Sequence, residues 1–280
     1  MSAEITARRR HTYTVTGAVT WTGLWTFMGG LLVAVLVVVL ASFTQQLSSG
    51  WLPGELTTKW YSGAWSYFDL PSLLTTTLIV AVAVVALSLL VAIPTAFALS
   101  RLDFPGKRLV LMLFLVPQVI PTMSYAVPLA TLVYQLRLND TIAGLVLVNL
   151  VPALPFAVLV LIPFVDQIDP RVEDAARVFG AGMRQVFLRV LAPLMVPGLL
   201  AAGVLVLVRV VGQFELTFLV AGPNSQTIVV ALFGASLQAG QLPSQQIDAM
   251  AVVYMLTTLI LLMIALRFVD PTSVAARNRR

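Results

Sequence analysis

Side chains that could carry out chemistry are scarce in this chain. It has one histidine, His11, and no cysteine. That excludes disulfides, thiol nucleophiles, Cys-ligated metals and any Ser-His-Asp or Cys-His site, since His11 lies in the N-terminal tail. A histidine-rich metal centre is excluded on the same count. The remaining polar residues concentrate in two settings. One is a short polar island between two long apolar segments, from Asp169 to Pro193. The other is a set of side chains inside otherwise apolar stretches: Gln118, Ser124, Tyr125, Asn149, Arg209, Gln213 and Glu215. Neither is a catalytic constellation, so the chain is expected not to be an enzyme. Their chemistry is that of binding and of mechanical contact.

The island reads as a helix built to be gripped. Asp169 can cap a helix start, and Pro170 fits the first turn, where a missing N–H costs nothing. Glu173 and Asp174 sit near the positive end of that helix, and Glu173 can pair with Arg177 four residues on. Ala175 and Ala176 form a small-residue step that a partner could approach closely. Gly180 allows a sharp turn before a second amphipathic stretch leads to Pro193.

The same residues resemble the cytoplasmic coupling loop, or "EAA" motif, of the membrane subunits of bacterial ABC importers. That motif reads Glu-Ala-Ala, three residues, Gly, nine residues, an aliphatic residue, two more residues and Pro. Here Asp174, Ala175, Ala176, Gly180, Val190 and Pro193 stand at those spacings. Asp174 keeps the charge of the Glu it replaces. Phe179 stands where the sugar-importer branch usually has Asp.

A soluble chain carries about 25% charged residues. This one, 280 residues long, has 10% charged and 59% hydrophobic residues. Its apolar residues come in blocks near the ~20 residues that a helix needs to cross hydrocarbon. Six spans are expected, over residues 25–45, 73–99, 109–134, 142–165, 190–220 and 250–268. The first follows Arg8, Arg9 and Arg10, but its apolar core is too long for a cleaved signal, so it reads as a retained anchor. With the N-terminus in the cytosol, fourteen of the seventeen Lys and Arg residues fall inside. Lys59 and Arg137 fall outside, and Arg209 lies within a span. That bias predicts both termini in the cytosol. The net charge of +5 is then a topology signal rather than a nucleic-acid signal.

The expected organisation is a cytosolic tail (1–24), a first transmembrane helix (25–45) and an external loop (46–72). A five-helix core (73–268) follows, with its coupling loop at 166–189, and then a cytosolic tail (269–280). In the external loop, Trp51, Trp60, Tyr61, Trp65, Tyr67 and Phe68 suit an interfacial aromatic belt or a docking surface. The cluster Pro117, Pro121 and Pro128 predicts a bent third span. Arg209 and Gln213 share a face at i, i+4, with Glu215 further round the same helix. Together with Gln118 and Asn149 they are candidates for the translocation path, or for an interhelix network. The apolar run 228–233 is too short to span and is expected to be a re-entrant or surface helix.

The resemblance implies an all-α integral membrane protein with the six-helix fold of type I ABC importer permeases. It covers roughly residue 73 onward and points to the carbohydrate-uptake branch, with maltose and glycerol-phosphate permeases as models. Glu173, Asp174, Ala175, Ala176, Gly180 and Pro193 would then form the ATPase-coupling element. Implied partners are a second, homologous permease subunit in a heterodimer, two ATPase subunits, an extracytoplasmic substrate-binding protein and the lipid bilayer of a bacterial cytoplasmic membrane. The chain itself has no Gly-x-x-x-x-Gly-Lys-Ser/Thr loop. Gly106-Lys107 has Arg101 at the first Gly position and Arg108 at the Ser/Thr position, so ATP and Mg would be bound by the ATPase partner. The loop 101–108 is shared with polyamine permeases, which stay open as an alternative. An ion-coupled secondary transporter would leave the coupling loop unexplained.

The charge bias yields a direct prediction. Reporter fusions after Gly54, Asn139 and Ser244 report outside, and fusions after Lys107 and Gly182 report inside. Reversal at any two sites refutes the topology.

Overall fold

The computed structural model describes residues 2–45, 55–238 and 240–267, with side chains described from residue 17 onward, Ala18 excepted. The predicted tail 269–280 and residues 46–54, with Trp51, lie outside the described residues, as do the side chains of Arg8, Arg9 and Arg10. The described residues form eleven helices and an isolated β-bridge, Thr44 to Leu56. Five helices are long and apolar enough to cross a membrane, or six if one bent pair counts as a single span. The all-α, multi-pass reading stands.

The chain divides into two compact units. Residues 1–64 and 239–252 form one, and residues 65–238 with 253–280 form the other. In the first, helix α1 (Ser2–Phe43) carries the apolar stretch Val19–Phe43. Its end is tied to the start of α2 (Lys59–Tyr67). Ser42 Oγ and the Tyr61 hydroxyl share a hydrogen bond of 2.7 Å, Trp60 Nε1 donates to the Thr44 carbonyl at 2.7 Å, and the Phe43 and Tyr61 rings lie 4.9 Å apart. Trp60 and Tyr61 of the predicted aromatic belt are therefore committed to a local fold.

The second unit is built on α3 (Leu70–Arg101), α6 (Ile142–Asp166) and α8 (Met183–Val211), which pack against one another. Lipid is as apolar as leucine, so helices in it associate through close packing rather than hydrophobic exclusion, and small residues collect at the contacts. Ala81, Ala92 and Ala96 on α3, Ala153 and Ala157 on α6, and Ala202 on α8 are all buried in this core. At Gly198 the approach of α6 and α8 is tightest, because a Cβ there would lie 2.6 Å from Cγ of Phe164. Outward-facing residues such as Val82, Leu90, Leu109 and Leu113 are exposed and apolar, as a lipid-facing surface requires.

The predicted third span is more than bent. It is two helices, α4 (Lys107–Val119) and α5 (Thr122–Gln135), meeting at 100°. Pro121 causes the break: the residue before a proline is driven out of the α region, and Ile120 is extended at φ −73°, ψ 131°. The predicted span 190–220 is also divided. Here α8 ends at Val211, and a separate short helix, α9 (Glu215–Val220), follows residues 212–214. Within α8, residues Val186–Leu191 form a π-helical stretch just before Pro193, where the Ala192 N–H reaches back to the Phe187 carbonyl. The apolar run at 228–233 is the start of α10 (Ile228–Leu237), and α11 (Ser244–Arg267) is the last helix among the described residues.

The open N-terminus of α10 is satisfied from another helix. Ile228 N–H donates to Thr77 Oγ1 of α3 at 3.0 Å. Between α5 and α6, the Asp140 carboxylate accepts from the Asn224 backbone (2.9 Å), the Asn224 side chain (2.7 Å) and the Ser225 hydroxyl (3.0 Å). Desolvation raises the pKa of this carboxyl, but the hydrogen bonds from Asn224 and Ser225 outweigh it and hold the pKa below its ordinary value. The knot is therefore intact at neutral pH and is lost only as pH falls through that lowered pKa. Gly222 must be glycine here, since a Cβ would lie 2.5 Å from Cγ of Asp140.

The tight α6–α8 approach gives a stability prediction. Gly198→Val overpacks a close contact and destabilises the protein by about 1–3 kcal/mol. Gly29→Val on α1, where a Cβ meets nothing within 4 Å, leaves the thermal unfolding midpoint in detergent unchanged. Equal midpoints for the two variants would contradict the packing described.

Candidate coupling element and membrane-depth polar sites

Short helix α7 (Pro170–Val178) is assembled by local rules that the sequence states openly. Asp169 caps it, its side chain accepting from the Arg171 N–H at 2.9 Å, and Pro170 opens the first turn. The helix closes in a Schellman motif. Gly180 has φ +82°, its N–H donates to the Arg177 carbonyl (2.9 Å), and the Ala181 N–H donates to the Ala176 carbonyl (3.1 Å). A β-carbon at that φ would be strained, so the predicted sharp turn is the structural task of Gly180.

The two faces of α7 differ sharply. On one, Glu173 is buried and Ala176 packs against the chain's own core. On the other, Asp174 and Ala175 are exposed, and the helix ends in Val178 at 84% and Phe179 at 90% exposure. Val172, Met183 and Leu188 are exposed apolar residues of the same segment. Glu173, Asp174, Ala175 and Ala176, all expected in the coupling element, do not lie on one face. The helix splits them, with Glu173 and Ala176 turned inward. The predicted Glu173–Arg177 pair is present at 3.9 Å, but the nearer partner of Glu173 is Arg101 of α3, at 2.8 Å. Pro193 lies off α7 altogether, in α8 just past the π-helical stretch.

The membrane-depth candidates fall into three groups. Arg209 donates to Gln118 Oε1 at 2.6 Å and lies over the Phe156 ring, 4.9 Å from its centroid. Gln118 in turn donates to the Pro152 carbonyl at 2.9 Å. This chain of contacts joins α8, the last turn of α4 and the proline-rich middle of α6, beside the 100° break. Asn149 is buried and bonds Leu145 O and Thr217 Oγ1 (3.3 Å), so it fastens α6 to α9. Gln213 lies beyond the end of α8 and donates to Glu215 Oε2 at 3.4 Å. The expected face shared by Arg209 and Gln213 does not form, and Glu215 does not continue the same helix, because the helix ends at Val211.

Four features of the structure go beyond what the order of residues predicts. The Asp140 knot and the Arg101–Glu173 pair join residues more than seventy positions apart, and no local pattern announces them. Phe179 was noted only as a departure from a motif, although a phenylalanine between polar residues and a glycine turn was itself a sign of an exposed apolar tip. A groove of about 390 Å³ in the crook of α4 and α5, lined by Pro117, Ile120, Tyr125 and Pro128 among others, was also not foreseen. Among the described residues no group of His, Cys, Asp or Glu could hold a metal ion.

The polar link makes a testable claim. Arg209→Ala and Gln118→Leu each lower uptake by the assembled transporter, and the double variant loses less than the sum of the two, because both remove the Arg209–Gln118 contact. Additive losses would show that the two side chains act separately.

Known proteins share this design. The chain is 39% identical over 113 residues to the trehalose transport system permease protein SugB of Mycobacterium tuberculosis, which covers 40% of this chain and 41% of that protein. It is 30% identical over 199 residues to the diacetylchitobiose uptake system permease protein NgcG of Streptomyces coelicolor, covering 69% of this chain and 65% of that protein. The matches thus span less than two thirds of the length of these relatives. In three dimensions it superposes on a chain of a bacterial ABC transporter involved in the import of the acidic polysaccharide alginate. The TM-score is 0.73 and the identity 18%, covering 91% of this chain and 97% of that one, which establishes a common fold. A family model matches residues 88–273, from the middle of α3 past the end of α11, and the chain belongs to that family, the inner membrane components of binding-protein-dependent transport systems.

Proposed function

We propose that this chain is one of two membrane subunits of an ABC importer for a sugar or sugar derivative, with both termini in the cytosol. It works by alternating access, powered by two separate ATPase subunits that bind ATP and Mg and loaded by an extracytoplasmic binding protein. The observation that carries this reading is the tip of α7. Val178 and Phe179 protrude almost fully exposed from a short, firmly capped helix, and a large exposed apolar tip on a rigid element is a docking feature. An ATPase cleft is the partner that the family membership supports. The sugar assignment is supported by the trehalose and diacetylchitobiose permeases among the relatives.

In this reading, ATP-driven closure of the ATPase pair displaces α7. The displacement passes into the α3–α6–α8 core and reorients the two membrane subunits about the path. The Arg209–Gln118 link lies beside the broken α4–α5 helix, the kind of discontinuity that lines pathways in transporters. Coupling-loop residues Asp174 and Ala175, with the turn at Gly180, face the ATPase, while Glu173 and Ala176 support them from behind.

Reconstitution of the whole complex in liposomes tests the function. Uptake requires ATP inside and the binding protein outside, and one of trehalose, diacetylchitobiose or a related sugar is accumulated while putrescine is not. Accumulation of putrescine favours the polyamine alternative, and uptake driven by an ion gradient without the ATPase refutes the ABC reading. Within the same complex, Phe179→Asp weakens ATPase association by about 2 kcal/mol, roughly thirtyfold, as loss of a central anchor does. Co-purification of the ATPase at wild-type yield would show that the tip is not the seat.

A further inference from the structure

One guanidinium holds three elements together at the end of the bundle where α7 sits. Arg101 is the last residue of α3. Its Nε donates to Glu173 Oε1 of α7 at 2.8 Å. Its Nη2 donates to the carbonyl of Val165, in the last turn of α6, at 3.0 Å, and to the carbonyl of Ile168 in the turn that leads into α7. Beside it, the Ser100 hydroxyl donates to the Asp166 carboxylate, a second tie between α3 and α6. The site is shielded. Glu173 is 5% exposed, and Val165 and Ile168 are buried. A charge pair that is both buried and bonded on several sides resists separation, because pulling away one member leaves the other unpaired.

We propose that Arg101 is a positioning residue, the joint through which displacement of α7 moves α3 and α6, and that Glu173 works inside this chain rather than as an ATPase contact. The inference rests on the importer reading above. Three features of the joint carry it. The guanidinium fork is planar and rigid, so α7 cannot shift against it without moving α3. The bond to Ile168 engages a carbonyl in the turn between α6 and α7, and the bond to Val165 adds to the one its carbonyl accepts from the Ile168 N–H, so the guanidinium grips the backbone of the turn itself. The neighbouring acid, Asp174, keeps a side chain 70% exposed, with only the half-exposed Arg177 beside it at 3.8 Å, and so is presented outward to a partner. Adjacent acids in the island thus divide the work, one holding the helix and one presented outward.

The test uses the full complex in liposomes and measures substrate accumulated per ATP hydrolysed, together with ATPase co-purification. In Arg101→Ala the ATPase still binds, since the α7 tip is untouched, but substrate per ATP falls about fivefold or more, the scale of an ordinary coupling free energy. Arg101→Lys is intermediate, because an ammonium can meet Glu173 but cannot reproduce the fork. The exchange Arg101→Glu with Glu173→Arg does not restore the ratio, since a carboxylate at 101 cannot donate to the two carbonyls. A simple ion pair would be rescued by that exchange, and rescue would overturn the joint. An unchanged ratio in Arg101→Ala would also overturn it. If Arg101→Ala fails to assemble, Arg101→Lys decides: assembly with a lowered ratio supports the joint, and assembly with a wild-type ratio refutes it. Absence of ATP-driven uptake in the wild-type complex removes the importer reading and the joint with it. Wild-type uptake with unaltered variants removes the joint alone.

Discussion

Hydrocarbon offers no hydrogen-bond partner, and that constraint governs every irregular point in this fold. An uninterrupted apolar helix meets it alone, as α1 does. Wherever the helix is interrupted, the exposed backbone must be covered by something else. Pro121 forces Ile120 out of the helix, and the break it makes lies beside Gln118, whose side chain ties the end of α4 to the Pro152 carbonyl. Past the gap between α8 and α9, the short α9 is fastened to α6 by Asn149, which reaches Thr217. The start of α10 takes its acceptor from Thr77 of α3. Each break is therefore also a junction between helices.

The same logic turns the polar island into a mechanical part. A nine-residue helix is too short to persist alone in water, and α7 is maintained by its ends and its back. Asp169 and Gly180 close the ends, and the Arg101–Glu173 pair holds the back. What remains free is the outer face with Val178 and Phe179. Rigidity behind and apolar surface in front are what transmission of force demands, and both come from residues that are unremarkable singly.

Much of this was legible in the order of residues. Apolar blocks of membrane length gave five long helices, and the capping residues of α7 behaved as local rules require. The small-residue step was half legible: Ala175 is outward and Ala176 inward, a distinction that depends on which side of α7 meets the core. Misplacement of Gln213 and Glu215 has a specific cause. The run 190–220 is apolar enough to read as one helix, yet α8 stops at Val211 and residues 212–214 separate it from α9, a break that hydrophobicity does not encode. The Arg101–Glu173 pair is not legible in the sequence, because the partners lie 72 positions apart and the intervening chain gives no hint that they meet. Local chemistry is visible in sequence, whereas long-range pairing appears only once the helices are packed.

A polypeptide leaves the ribosome from its N-terminus, and the order of these pairings then acquires a temporal meaning. An arginine disfavours membrane insertion by about 2.5–3.5 kcal/mol at the centre of a span, and Arg209, in the last turn of α8, still gains from a partner. Arg209 follows Gln118 by 91 residues, so the acceptor that receives its guanidinium has already been synthesised when α8 arrives. Thr77 likewise precedes the α10 start that it caps by 151 residues, and Arg101 precedes Glu173. In each case one side of the pair is made first, the acceptor at Gln118 and Thr77 and the donor at Arg101, and the later segment arrives where its polar counterpart is already in place. Biogenesis of the bundle can thus proceed as a sequence of dockings onto a growing template.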